Sequence, residues 1–423
     1  MPDPAPSLTT HCRSLAERAH AAAIDLAGIP GRRRAAALVA AAAQIRADAP
    51  AILEANRADV AAAPGYGLTA AAIDRLALDN VRIEAVAAGM ETVAALPDPI
   101  GELIEETIRP NGLIVRKIRV PLGVVFFIYE SRPNVTADAA AVAIASGNAI
   151  ILRGGKEAAH SSQRIVEKIR AGLVEAGLPA DAVQLVDVAD REAVGELLKL
   201  DDLIDLAIPR GGEGLIRRVC AEARMPVLKH FSGNCHVYVD RAADLVMAEA
   251  ISVNAKCQRM GVCNAAESLL VHRDVAERFL PAVAEKLLAQ GIEIVGDAAT
   301  RRLVPAAGEA TAADWDTEFL GPKISVAVVD SLDSAIDHIN RHGSRHTDAI
   351  VTADPTAAER FATRVDTAVA MVNTSTRFND GSELGMGAEI GISTDKLHAR
   401  GPCGPRELTT YKYVVTGTGQ VRG

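Results

Sequence analysis

Short apolar runs that alternate with helical stretches constrain the fold of this chain more than any other feature. The run "VVFFIY" (124–129) is followed by a predicted helix over 134–146, which stops at Gly147, and then by "NAIIL". A second predicted helix, over 157–176, precedes "AVQLV", "LIDLAI" and "VLKHF", which are again separated by helical stretches. Buried strands that alternate with helices of this length indicate a parallel sheet with helices on its faces.

A second series of the same kind follows a helical stretch over 242–256. The runs "AESLLVH", "KISVAVV", "DAIVT" and "AVAMVN" are typical of strands, so we predict a second α/β unit with a boundary near Asp240. Residues 13–65 have the composition and spacing of two or three amphipathic helices. Because 49% of the residues are apolar but only 3% are aromatic, the cores must be mainly aliphatic.

Two segments fit neither α/β unit. "GELIEETIRPNGLIVRKIRVP" (101–121) alternates apolar and polar residues on both sides of Asn111-Gly112, which is a strong hairpin signal. "ELTTYKYVVTG" near the C-terminus also alternates. Because exposed strand edges invite pairing with another chain, we expect both segments to contribute to an oligomer interface.

Composition excludes several classes of protein. The net charge of −9 argues against nucleic acid or an anionic membrane surface as the main partner. The N-terminal "MPDPAPSLTTHCRSLAERAH" has no apolar core of a signal peptide, and no uncharged apolar stretch approaches the roughly 20 residues of a membrane span. The six cysteines are dispersed along the chain, so we expect reduced thiols and a cytoplasmic protein.

The segment "NAKCQRMGVCNAAESLLVH" holds two cysteines that could carry chemistry, Cys257 and Cys263. Their spacing matches no common structural zinc site, and Lys256 and Arg259 would oppose a cation, so we expect no metal. Cys263 follows Gly261, where a predicted helix gives way to a predicted strand, and a nucleophile could be presented there. A small buried core residue is the alternative that the local sequence leaves open.

Two glycine-rich stretches each follow a strand and open a helix. They are "RGGKEA", beginning at Arg153, and "PRGGEG", which contains Gly211 and Gly212. Backbone amides and the helix dipole can receive a phosphate at such a junction, although ordinary strand-to-helix turns look similar. Arg153 and Lys156 add positive charge beside the first stretch, which favours a nucleotide with a 2′-phosphate.

Several longer motifs resemble one family. "PLGVVFFIYESRPNVT", "SGNAIILRGGKEA", "DLAIPRGGEGLI", "SGNCHVYVD", "EFLGPKISVAVV" and "FNDGSELGMGAEIGISTDKLHARGP" are, with the cysteine segment, similar to the γ-glutamyl phosphate reductases (glutamate-5-semialdehyde dehydrogenases) of the aldehyde dehydrogenase superfamily. The resemblance implies reduction of L-glutamyl 5-phosphate to L-glutamate 5-semialdehyde by NADPH, the second step of proline biosynthesis. It also implies a homodimer or homotetramer and a functional coupling to glutamate 5-kinase.

The resemblance also implies roles for individual residues. "GVCN" makes Cys263 the nucleophile that forms a thioester, and "SRPN" makes Asn134 the side-chain donor to the oxyanion. "EFLGP" puts Glu318 at the nicotinamide ribose. For the rest of the cofactor, the motifs imply an adenosine ribose at Arg153 and Lys156 and a pyrophosphate near Gly211 and Gly212.

One position departs from the aldehyde dehydrogenases that hydrolyse their thioester with water. Their general-base glutamate is replaced here by His230 in "HFSG". The alternative function, a hydrolytic NAD(P)-dependent aldehyde dehydrogenase, is therefore disfavoured, while a proton-transfer role for His230 stays open. Arg132 and Arg377 are candidates to bind the substrate carboxylate, and structural ion pairs are the alternative for both.

With the resemblance, the expected organisation is an aldehyde dehydrogenase-like α/β fold. It combines two parallel-sheet αβα domains, one Rossmann-like for the cofactor and one catalytic, with a β-hairpin oligomerisation element. The expected bounds are 1–100 and 122–240 for the NADP-binding domain with a return segment 383–402, 241–382 for the catalytic domain, and 101–121 with 403–423 for the oligomerisation element.

Overall fold

The computed structural model describes residues 7–130, 132–188 and 190–422. The chain divides into two compact units. The first runs up to Lys229 and is completed by Gly385–Gly391 and the segment from Cys403 onward, and the second comprises His230–Leu384 and Ile392–Pro402.

The first unit begins with a layer of alanine-rich helices. The Ser7 hydroxyl accepts a hydrogen bond from the Thr10 amide at 3.2 Å and so caps the first helix. Small side chains let these helices pack closely. Their bounds are α1 Leu8–Ala27, α2 Gly31–Ala47, α3 Ala49–Ala62, α4 Ala70–Leu76 and α5 Asn80–Ala94.

A four-stranded parallel sheet forms the core of the first unit. After the antiparallel hairpin of β1 (Leu103–Ile108) and β2 (Ile114–Pro121), the strand order is β5-β4-β3-β6. Every residue of β3 is buried, as expected for a central strand covered on both faces. The elements are β3 Val124–Tyr129, α6 Pro133–Ala145, β4 Ala149–Arg153, α7 Ala159–Glu175, β5 Val183–Leu185, α8 Glu192–Leu197, β6 Leu206–Arg210 and α9 Glu213–Glu222.

The prediction of a strand at "VLKHF" is wrong. Only Val227 forms a bridge there, with Ala207 of β6. Pro226, the residue before it, has no amide hydrogen to donate, so a longer ladder does not form.

No single helix in the described residues is long and apolar enough to cross a membrane. One pair, Gly31–Ala47 with Ala49–Tyr66, passes the same test of length and composition jointly, with a bend of 70°. The first helix of that pair, α2, packs against α5 and α7. A Cβ at Gly172 of α7 would lie 2.3 Å from the Ala41 amide nitrogen, so this glycine is what permits the close approach.

The second unit contains a seven-stranded sheet in the order β10-β9-β11-β8-β7-β12-β13, with all its pairs parallel. Its apolar cores on the two faces are mainly aliphatic, as the composition predicted. The elements are β7 Cys235–Val239, α10 Leu245–Cys257, β8 Ala266–His272, α11 Arg273–Ala289, β9 Glu293–Gly296, α12 Ala298–Leu303, β10 Gly308–Glu309, β11 Lys323–Val329, α13 Leu332–His342, β12 Thr347–Val351, α14 Pro355–Arg364 and β13 Val369–Val372.

The structure differs from the predicted bounds in three places. The division falls after Lys229 rather than near Asp240, because β7 pairs with β8 and β12 and so belongs to the second sheet. The predicted return segment 383–402 is shared between the units, with Gly385–Gly391 in the first and Ile392–Pro402 in the second. The segments 101–121 and 403–423 belong to the first unit instead of standing apart from both units.

The last strands are β14 (Gly391–Ser393), β15 (Gly401–Cys403) and β16 (Thr409–Thr416). Strands β14 and β15 pair with each other, and β16 pairs antiparallel with β2 along its whole length. The predicted hairpin and C-terminal strand are therefore confirmed as elements, and they join in one three-stranded sheet, β1-β2-β16.

Candidate functional site

The second unit brings several reactive side chains to one edge of its sheet. Strands β8, β7 and β12 are parallel neighbours, so the segments that lead into them meet at the same edge. Cys263 precedes β8, Cys235 begins β7, and His346 precedes β12. Open parallel sheets usually bind ligands at the carboxyl edge, and this cluster lies at the amino edge.

Cys263 sits in a tight turn that other backbone segments hold in place. The Ala265 amide donates to the Val262 carbonyl at 3.1 Å. The Cys235 thiol donates to the Cys263 carbonyl oxygen at 3.1 Å. A Cβ at Gly233 would lie 1.8 Å from that same carbonyl oxygen, so only glycine fits there. The turn leaves the Cys263 side chain half-buried.

Cys257 lies in a different environment, at the last residue of α10. It packs against the apolar core of the second unit. Burial raises the pKa of the Cys257 thiol, and the charge of Lys256 only partly opposes that rise. Since the thiolate is the nucleophilic form, this environment disfavours Cys257 as the reacting group.

Two histidines approach Cys263. One ring nitrogen of His230, one of His346 and the Cys263 sulfur all lie within 4.8 Å of one another. The two rings meet edge to face at 5.5 Å between centroids. Nδ1 of His230 donates to the Ile392 carbonyl at 3.0 Å, which leaves Nε2 as its basic nitrogen, and burial lowers the pKa of His346 to about 3. Nε2 of His230 is therefore the candidate base beside the thiol, whereas His346, with so low a pKa, binds a proton only weakly.

Arg377, a predicted substrate-binding residue, also lies close to this cluster. Its Nε donates to the Gln258 side chain at 2.9 Å, and its charge interacts with Cys263. Burial lowers the pKa of Arg377, and Arg259 lowers it further. The Asn264 side chain donates to the Asn379 carbonyl at 2.9 Å and so ties the cysteine turn to this segment.

Glu318, the predicted nicotinamide-ribose residue, lies in the segment before β11 of the second unit. Burial raises the pKa of Glu267 to about 7 against the opposing charge of Lys256, and the charge of Glu318 adds a smaller rise. Lys256 Nζ donates to Glu267 at 2.5 Å with both side chains wholly buried. Glu267 also accepts the Leu320 amide at 3.1 Å, so this buried pair fixes the loop that carries Glu318.

The first unit contains a separate cavity of about 600 Å³. It lies where β3, β4 and β6 end, which is the usual carboxyl edge for nucleotide binding. Lys156 is exposed there, with Nζ 4.5 Å from the centre of the Tyr66 ring. The charged lining is mostly cationic and consists of Arg75, Arg132, Arg153, Lys156, Arg191 and Arg218 with Glu130 and Glu157. Arg132 therefore lies among the predicted cofactor residues.

Gly211 and Gly212 follow β6 and precede α9, as predicted for a phosphate-binding turn. The Gly212 amide, however, donates to the Glu130 carboxylate at 3.0 Å. A Cβ at Gly211 would meet the same side chain at 2.6 Å. An acidic side chain thus occupies the anion position at this turn, and a pyrophosphate would have to displace it.

Asn134, the predicted oxyanion donor, lies in the first turn of α6. Its amide nitrogen donates to Asp138 Oδ2 at 3.0 Å, one helical turn further on. Burial raises the pKa of Asp138 to about 6, while Asn134 and Arg210 oppose the rise. The ionised carboxylate holds the Asn134 amide in one orientation at neutral pH.

The structure therefore groups Cys263 with Arg377 in the second unit, and Arg132 with Arg153 and Lys156 in the first. Sequence reasoning marked His230 through "HFSG" but missed His346, which contacts the His230 ring, and Cys235, which contacts His346 and the Cys263 carbonyl. It also missed Glu130 and Asp138. The sheet order brings Cys235, His346 and Glu130 to their partners, whereas Asp138 lies one helical turn from Asn134.

The chain is similar to known proteins over nearly its whole length. The model of the aldehyde dehydrogenase family matches residues 7–301 and 303–388. A γ-glutamyl phosphate reductase of Rhodopirellula baltica is 57% identical, with 98% of this chain and 96% of that protein covered. Another from Moorella thermoacetica is 52% identical, with 96% and 97% covered.

Solved structures agree with this result. The γ-glutamyl phosphate reductase of Thermotoga maritima superposes with a TM-score of 0.95 at 44% identity, covering 97% of this chain and 100% of that one. An acetylating aldehyde dehydrogenase of Geobacillus thermoglucosidasius, at 16% identity and a TM-score of 0.68 with 98% of both chains covered, shares the fold. The predicted fold class is confirmed, and the chain belongs to the γ-glutamyl phosphate reductases within the aldehyde dehydrogenase family.

Proposed function

We propose that the chain reduces L-glutamyl 5-phosphate to L-glutamate 5-semialdehyde with release of phosphate, through a thioester on Cys263, in the second step of proline biosynthesis. Membership of the γ-glutamyl phosphate reductases supports the reaction. The half-buried Cys263, held in its turn by Cys235 and Gly233, is the observation that carries the mechanism.

The reaction begins when the Cys263 sulfur attacks the acyl carbon and the bond to the phosphate oxygen breaks. The thiol proton passes to Nε2 of His230, whose Nδ1 donates to the Ile392 carbonyl. The negative oxygen of the tetrahedral intermediate is stabilised by the Asn134 amide, which Asp138 orients, and by the Cys263 backbone amide. Donors of this kind each contribute about 3 kcal/mol to catalysis.

As a member of the aldehyde dehydrogenase family, the chain uses a nicotinamide cofactor. That cofactor supplies the hydride that converts the thioester into the aldehyde when it is bound. The cationic cavity of the first unit supports a dinucleotide site, with Arg153 and Lys156 at the adenosine ribose and its 2′-phosphate. In our proposal Glu318 binds the nicotinamide ribose. Arg377 contacts the substrate, and Arg132 lines the cofactor cavity.

His230 occupies the position of the glutamate that activates water in the hydrolytic aldehyde dehydrogenases. An imidazole fixed by the Ile392 carbonyl can move the thiol proton, and no glutamate occupies this position to drive hydrolysis. Phosphate is then the acyl acceptor in the reverse direction. We also propose a cytoplasmic location and coupling to glutamate 5-kinase, because an acyl phosphate is short-lived in water.

The reverse reaction tests the function. With glutamate 5-semialdehyde and NADP⁺, we expect reduction of the cofactor to require inorganic phosphate and to rise with its concentration. Absorbance of the reduced nicotinamide measures the rate, and acetate in place of phosphate is the control. Oxidation at the same rate without phosphate would contradict the proposal and favour the hydrolytic alternative.

We propose NADPH as the cofactor because of the charge on Lys156 and Arg153. Lys156→Glu is expected to reduce the preference for NADPH over NADH at least about tenfold, since a 2′-phosphate would then face a negative charge. The ratio of kcat/KM for the two cofactors is the measurement. Lys199→Glu, at an exposed lysine outside the cavity, makes the same charge change and should leave the ratio unaltered. Equal use of both cofactors by the unaltered chain would refute the assignment.

We propose that the sheet β1-β2-β16 forms the oligomer interface of a homodimer or homotetramer. Its exposed apolar side chains are Leu103, Ile104, Ile108, Tyr411, Tyr413 and Val415. Tyr413→Glu with Val415→Glu should lower the mass measured by light scattering to that of one chain, 44.3 kDa, because two carboxylates would be buried. Lys412→Glu, at the position that precedes Tyr413 in β16 and points to the opposite face, is the control. A single-chain mass for the unaltered protein would exclude the interface.

A further inference from the structure

We propose that His230, Cys263 and His346 form a binding site for a borderline-soft divalent cation such as Zn²⁺, and that the bound cation blocks Cys263 reversibly. The blocking of catalysis rests on the proposed function, whereas the binding itself does not. The site is distinct from the cysteine pair considered from the sequence, because Cys257 is not part of it.

The first support is geometric. The three donor atoms lie within 4.8 Å of one another, and all three residues belong to the second unit. Zinc bonds of roughly 2.1 to 2.3 Å in a tetrahedral site place donor atoms about 3.5 Å apart. A shift of the side chains by about 1 Å therefore brings the set to coordination distance.

The second support is the buried and unsatisfied state of His346. Its side chain is wholly buried, and among the described residues nothing hydrogen-bonds to its Nε2 atom. Its Nδ1 atom is engaged by the Thr347 hydroxyl at 2.8 Å. A buried polar atom without a partner is costly, and a cation coordinated by Nε2 would remove that cost.

The third support is the way in which the imidazoles are held. Metal-binding histidines commonly use their second nitrogen to contact a carbonyl or a polar side chain, which fixes the tautomer and the ring. His230 makes such a contact with the Ile392 carbonyl and His346 with Thr347. The Ile392 carbonyl thereby leaves the metal-coordinating lone pair of His230 on Nε2. The Thr347 hydroxyl, which can donate or accept, engages Nδ1 of His346 and leaves its Nε2 to face the site.

The donor set selects the class of cation. One thiolate and two imidazoles suit Zn²⁺ or Co²⁺, whereas Mg²⁺ and Ca²⁺ prefer oxygen ligands. Three protein ligands leave one coordination position for water. Binding would displace the thiol proton and commit the sulfur lone pair to the metal, so the sulfur could not attack an acyl phosphate.

Cobalt spectroscopy tests the binding without reference to activity. Titration of the full-length, metal-stripped protein with Co²⁺ should produce a sulfur-to-cobalt charge-transfer band and the visible bands of tetrahedral cobalt, both displaced by Zn²⁺. Cys263→Ala should remove the charge-transfer band, and His346→Gln should weaken binding at least tenfold. His230→Asn, at the half-buried histidine of the set, provides the same test if the His346 variant does not fold. Cys257→Ala is the matched control and should keep the spectrum.

A spectrum of octahedral cobalt alone, or a charge-transfer band that survives in Cys263→Ala, would overturn the site. In a second arm, micromolar Zn²⁺ should inhibit the reductase reaction, and a chelator should restore it. Bands without any reductase activity would leave the metal site standing and refute the proposed function. Reductase activity without bands would refute only the metal site.

Discussion

Replacing Cys263 with alanine is expected to abolish turnover, with a fall in kcat of at least about 10³-fold. The variant has no sulfur to form the thioester, and the other groups of the site cannot replace a covalent step. Turnover is measured as the phosphate-dependent reduction of NADP⁺. Mass spectrometry of the protein should show that the variant no longer becomes acylated. The alanine side chain fits the half-buried turn, so the fold should be unchanged.

Cys257→Ala is the matched control for this prediction. It removes a sulfur six positions earlier that packs against the core of the second unit and has a raised pKa. We expect this variant to retain most of the activity. Substantial turnover by Cys263→Ala, or its loss in a well-folded Cys257→Ala, would show that the nucleophile has been assigned to the wrong cysteine.

The largest effect on stability is expected for Lys256→Met. The change leaves the Glu267 carboxylate buried without its ammonium partner, at a position where both side chains are wholly inaccessible to water. Breaking one side of such a pair costs about 3 to 5 kcal/mol. The midpoint of urea unfolding, followed by circular dichroism, should fall accordingly.

The double variant Lys256→Met with Glu267→Leu separates loss of packing from loss of charge compensation. Replacing both partners of a buried pair by apolar residues is often close to neutral, so the double variant should recover most of the lost stability. In the double variant the Leu320 amide has lost its acceptor, so the loop that carries Glu318 is less firmly fixed. An unchanged midpoint for Lys256→Met would mean that the pair contributes nothing to stability.

The order of strands and helices was largely predictable because burial imposes a clear pattern. A central strand such as β3 or β8 is buried throughout and therefore appears as an apolar run. The predicted boundary near Asp240 failed for a related reason. Strand β7 is as apolar as its neighbours, and an apolar run does not tell which of two sheets a strand will join.

The site was predictable only where its chemistry is local. The junction of a helix and a strand made Cys263 a candidate, and the resemblance of "GVCN" assigned its role. His230 was marked because "HFSG" stands where hydrolytic aldehyde dehydrogenases have a glutamate motif. The approach of His346 to Cys263 depends on β7 and β12 being neighbours in the sheet. Likewise, the contact of Glu130 with Gly212 depends on the pairing of β3 with β6. Such long-range pairings have no signature in a single sequence.

The pairing of β2 with β16 has a consequence for how the chain reaches its folded state. The Arg119 side chain contacts Thr409, 290 residues further along the chain. During synthesis the hairpin of β1 and β2 therefore emerges long before its third strand, and an isolated hairpin is only marginally stable in water. The free edge of β2 therefore remains open to other chains until the residues of β16 have left the ribosome.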